Sequence, residues 1–80
     1  MYDGNIIAER IRQLAKEKNI AVKTILEKAE LNYNLMTTMR KSVPKADNLA
    51  KIADILECST DYLLGRTNII EINKGYGIKY

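Results

Sequence analysis

An all-α fold of five short helices, packed as one compact domain, is predicted for this 80-residue chain. One sign is apolar spacing, which repeatedly follows the i, i+3, i+4, i+7 pattern of a helix buried on one face. Another is that capping residues stand where such stripes begin or end: Asn32, Ser59 and Gly65. The third is size: the connections are short, and 80 residues leave no room for a separate sensor or catalytic domain.

The elements follow in order. Ile7, Ile11 and Leu14 place the first helix at Asn5 to Lys18. Val22, Ile25, Leu26 and Ala29 mark the second. Asn32 caps a short third helix that runs to about Arg40, with Met36 and Met39 turned inward. Pro44 lies in the next connection, and Leu49, Ile52, Ala53 and Leu56 mark the fourth helix. Ser59 caps the fifth, Thr60 to Leu64, which Gly65 stops. These residues, 1–66, form the domain. Residues 67–80 form a tail in which Ile70 and Ile72, then Tyr76, Ile78 and Tyr80, alternate with other residues around Asn73-Lys74-Gly75. That pattern fits a strand or hairpin pairing with a second subunit, and it equally fits an extension without fixed structure.

Composition narrows the function. The chain is 46% hydrophobic and 29% charged, which fits a soluble globular protein, and no apolar run reaches the ~20 residues of a membrane helix. The start, Met-Tyr-Asp-Gly-Asn, lacks the regions of a signal peptide. Cys58 has no partner for an internal disulfide, so a reducing cytoplasm is expected. The net charge of +3 is unevenly spread. Residues 33–45 hold Arg40, Lys41 and Lys45 with no acid, whereas residues 46–65 hold four acids against Lys51. Such a division suits a molecule with one phosphate-facing side.

The third helix carries the functional signal. Tyr33, Asn34, Thr37 and Thr38 lie opposite Met36 and Met39 and offer hydrogen-bonding tips and methyl groups. Asn can bond adenine through a donor and an acceptor, and Thr can bond a base edge or touch a thymine methyl. These four are the candidate base-reading residues. Phosphate contacts are expected from Lys23 and Thr24 at the start of the second helix. Arg40, Lys41, Ser42 and Lys45, after the third, should add to them.

Two stretches carry a family resemblance. Ile25-Leu-Glu-Lys-Ala-Glu-Leu-Asn-Tyr-Asn-Leu-Met-Thr-Thr-Met39 resembles the helix-turn-helix of lambda-repressor-like domains of the Cro/cI type, the XRE family. Ala46 to Thr67, with its ending Asp-Tyr-Leu-Leu-Gly-Arg, is similar to that family's fourth and fifth helices. The resemblance covers about Ile6 to Thr67. It implies a transcriptional regulator of phage or mobile-element repressor type, binding a palindromic operator as a homodimer. It places base reading on Tyr33, Asn34, Thr37 and Thr38, and phosphate contacts near Val22, Lys23, Arg40, Lys41, Ser42 and Lys45. The subunit contact would involve Tyr62, Leu64, Ile70, Ile72 and Ile78. The chain departs from the family pattern at three places. Val22 stands for a frequent Gln, Ala21 for a Ser cap, and Glu30 for the Gly of the turn. Glu30 must therefore adopt a left-handed conformation, costing roughly 1–2 kcal/mol, or the turn takes another shape.

No enzyme is expected, since no nucleophile–base pair and no phosphate loop stands out. With no His and one Cys, no metal site or cofactor is expected, and no small-molecule ligand is evident. Cys58 reads as a buried, inert thiol. A rival function is a protein-interaction module, antitoxin or antirepressor, built on the same frame.

Overall fold

A computed structural model of the chain describes residues 2–71. Within them lie five α-helices: α1 Gly4–Lys18, α2 Val22–Lys28, α3 Leu35–Thr38, α4 Ala46–Leu56 and α5 Thr60–Leu64. No strand occurs among the described residues, and the tail strand expected around Ile72, Tyr76, Ile78 and Tyr80 lies outside them.

The apolar stripes seen in the sequence meet in one core. Ile7, Ile11 and Leu14 of α1 are buried with Ile25 and Leu26 of α2, and with Ile52 and Leu56 of α4. Leu63 of α5 and the expected Met36 and Met39 complete it. Helix α1 is the central element, packing against α2, α4 and α5. No charged side chain is buried among the described residues, and no buried side-chain polar atom lacks a partner there. The core therefore carries no electrostatic penalty and is held by apolar burial.

Helix starts follow local chemistry. Helix α1 begins one residue earlier than expected because the Asp3 carboxylate accepts from the Asn5 backbone N–H at 2.8 Å. Ser59 caps α5 as expected, accepting from the Tyr62 N–H at 3.0 Å. Ala21 precedes α2 with no side-chain cap bond, leaving orphan donors there to solvent.

Helix ends share one device. After α1, α2, α4 and α5 the chain turns left-handed, at Asn19 (φ 60°), Glu30 (φ 61°), Glu57 (φ 57°) and Gly65 (φ 84°). In each case the next residue donates its N–H back to the carbonyl five positions earlier. The bonds are Ile20 to Ala15, Leu31 to Leu26, Cys58 to Ala53 and Arg66 to Asp61, all between 2.8 and 3.0 Å. Ile20 and Leu31 then pack on the core and fix the direction of the following chain.

Beyond α5 the chain stays on the helical body. The half-buried Arg10 donates to the Tyr62 carbonyl at 2.6 Å, to the Thr67 carbonyl at 2.8 Å and to Asn68 Oδ1 at 3.0 Å. Its guanidinium carbon lies 4.2 Å from the centre of the Tyr62 ring. The Ser59 N–H donates to the Ile70 carbonyl at 2.8 Å, and its hydroxyl donates to the Ile69 carbonyl at 3.2 Å.

Candidate nucleic-acid interface

The interface is built on the α2–turn–α3 unit. Glu30 takes the left-handed form that the turn requires, so of the two outcomes open in the sequence the chain adopts the strained one. Leu31 then drops toward the core, and Asn32 starts the next turn. The Asn32 side chain accepts from the Asn34 N–H at 2.7 Å, and its carbonyl accepts from the Leu35 N–H at 2.9 Å. Asn32 thus caps the turn that leads into α3 rather than the α-helical part itself, whose flanking residue Asn34 makes no side-chain cap bond.

Helix α3 differs from the expected run to about Arg40. Its α-helical part is Leu35–Thr38, extended at both ends by turns. Met36 bonds back to Tyr33, Arg40 to Thr37 and Lys41 to Thr38, each across three residues. These turns carry the rod on to Ser42, with Arg40, Lys41 and Ser42 all exposed.

The two sides of that rod separate cleanly. Met36 and Met39 are buried, whereas Tyr33, Asn34, Thr37 and Thr38 are exposed, Tyr33 at 56%. The Thr38 hydroxyl donates to the Asn34 carbonyl at 3.1 Å. Its proton is therefore engaged within the helix, and Thr38 offers a methyl group and an acceptor oxygen outward.

The rod is seated by Gly4. A Cβ on Gly4 would lie 1.9 Å from the Met39 carbonyl oxygen and 3.1 Å from that of Ser42. Only glycine allows the first turn of α1 to approach the end of α3 so closely. No residue type other than glycine at position 4 could have signalled this in advance. Its partners are backbone carbonyls, which carry no sequence signature.

The expected phosphate-contacting residues fall in three places. Arg40, Lys41 and Ser42 are exposed and line one hollow with Tyr2, Asp3 and Val43. Lys45 is exposed at the start of α4. Lys23 is exposed and Thr24 half-buried on the first turn of α2, outside that hollow. Of the residues expected at a subunit contact, Tyr62 is buried beneath Arg10, while Leu64 and Ile70 are half-buried against the core. Ile72 and Ile78 lie outside the described residues.

Cys58 is buried between α4 and α5, and burial pushes its thiol up from 9.0 to about 11 against the opposing pull of the Lys18 charge. Among the described residues no cluster of three His, Cys, Asp or Glu could hold a metal ion. No described helix is long and apolar enough to cross a membrane.

Neither a curated protein nor a solved structure matches the chain. A family model does, that of the Cro/C1-type HTH DNA-binding domain, over residues 10–67. The matched segment runs from Arg10 on α1 through the helix-turn-helix to Thr67 beyond α5, so the chain belongs to the Cro/C1-type helix-turn-helix DNA-binding family and is a DNA-binding regulator.

Proposed function

We propose that the protein is a repressor of phage or mobile-element type that binds a palindromic operator as a homodimer. The observation that carries this reading is the row of exposed polar side chains on α3, set on a rod whose opposite side is locked into the core. Asn34 and Thr37 contact base edges, Thr38 offers its methyl to thymine, and Tyr33 meets a base or phosphate at the groove margin. Lys23, Thr24, Arg40, Lys41, Ser42 and Lys45 hold the backbone and set register. No chemistry is needed, because occupation of a promoter blocks transcription.

Size favours two copies. A body of 37 × 29 × 21 Å spans about one turn of duplex, so one copy reads one half-site, and two half-sites lie ~34 Å apart. With the Tyr62 ring covered inside its own chain, Leu64 and Ile70 carry the subunit contact, joined by Ile72 and Ile78 of the tail. Leu64 lines an apolar groove with Val43, Pro44 and Leu49, which gives the second copy a surface to fill.

Selection of bound sequences from a random duplex pool, followed by two variants, tests this reading. Asn34→Ala should lower sequence preference by roughly 1–3 kcal/mol at one base pair. Lys41→Ala should weaken all duplexes alike. Equal losses on selected and random duplexes for both variants would overturn the readout. No binding to any duplex at low salt would overturn the proposal and favour the protein-interaction rival.

A further inference from the structure

The phosphate contacts proposed above come from α2 and from the chain after α3. A further set of polar groups lies on α1. Asn5, Glu9 and Arg12 stand four and three residues apart and so share one stripe of that helix. Together with Arg40, they rim a hollow of about 280 Å³ between α1 and α3, floored by the buried Ala8 and Met36. Arg12 and Arg40 are both exposed, and among the described residues neither lies within ion-pair distance of an acid.

The hollow is lined by two arginines, Arg12 from α1 and Arg40 from the end of α3. Guanidinium is the side-chain group whose planar fork matches phosphate oxygens. Arg40 also borders the neighbouring hollow that contains Lys41 and Ser42. Arg40 therefore links the two hollows, and Arg12, Arg40 and Lys41 are the cations of a surface that also carries Glu9 and Asp3.

We infer that the Asn5–Arg12–Arg40 hollow receives a backbone phosphate of duplex DNA, extending the footprint along α1, and that Glu9 at its rim weakens the hold. This inference rests on reading α3 as the groove helix. Arg12 and Asn5 then contribute affinity without sequence preference, and Glu9 sets an upper limit on it.

The test uses the full chain and a random-sequence duplex of about 20 base pairs, titrated at several salt concentrations. Arg12→Gln should weaken binding several-fold and reduce the slope of log K against log salt by about 0.9, with unchanged preference for the selected site. Glu9→Gln should strengthen binding, and both variants should melt as the parent does. A parent that binds with a salt-dependent slope, while Arg12→Gln and Glu9→Gln leave affinity and slope unchanged, would overturn the inference and leave the α3 reading intact. Failure of the parent itself to bind would remove both.

Discussion

Glu30 shows most directly what a single residue contributes. Its φ of 61° is the conformation that glycine adopts without Cβ strain, and a left-handed non-glycine residue costs roughly 1–2 kcal/mol. Glu30→Gly should therefore raise unfolding stability by about 1 kcal/mol in a denaturant titration; no gain would mean that the side chain stabilises the turn in some other way. Cys58 offers a second residue-scale prediction. Its thiol is neutral in the fold up to about pH 11 but titrates near 9.0 when unfolded, so its contribution is complete below pH 9. Between pH 9 and 11 the unfolded chain loses the proton first, and roughly 2–3 kcal/mol of stability should disappear. Cys58→Ala should show a smaller fall across that window, measured by thermal melting against pH. The strained Glu30 was visible in the sequence because the family resemblance puts glycine there. The equivalent strain at Glu57 was not, since nothing in Leu56-Glu57-Cys58 distinguishes a left-handed end from a continuing helix.

Individual elements are stabilised unequally: α1 and α5 start under a side-chain cap bond, whereas α2, α3 and α4 do not. Ala21 leaves α2 without a side-chain cap, so Ala21→Ser should stabilise the domain by about 1 kcal/mol, and an unchanged melting temperature would count against a free N-terminus there. The helices with dense apolar stripes, α1, α2 and α4, were legible because their burial repeats at helical spacing. Helix α3 was legible in its faces but not in its length. Met36 and Met39 declare the inward side, whereas nothing in Thr37 to Ser42 reveals that Arg40 and Lys41 bond back across three residues while Ser42 bonds across four. The capping roles of Asn32 and Ser59 could be read from their side chains. That of Asp3 is not legible, because the apolar stripe of α1 begins only at Ile7.

Across the whole molecule, Arg10 joins parts of the chain more than fifty residues apart, tying α1 to the end of α5 and to residues 67–68. Arg10→Ala should cost roughly 2–3 kcal/mol, since hydrogen bonds to a charged, half-buried group are among the stronger ones. Arg10→Lys should recover only part, because an ammonium cannot reproduce the fork while lying over Tyr62. A full recovery, read from chemical denaturation, would reduce the clamp to a simple charge effect. The role of Arg10 is not legible in the sequence because its partners are mainly carbonyls, whereas the outward row on α3 declares itself through its side chains. The contact at Gly4 has a further meaning for how such a protein could change its target. Main chain rests on main chain at that point, and the support involves no outward side chain of α3. Asn34, Thr37 and Thr38 can therefore be exchanged as a set without unseating the rod, so the domain is suited to acquiring new operator preferences on an unaltered scaffold.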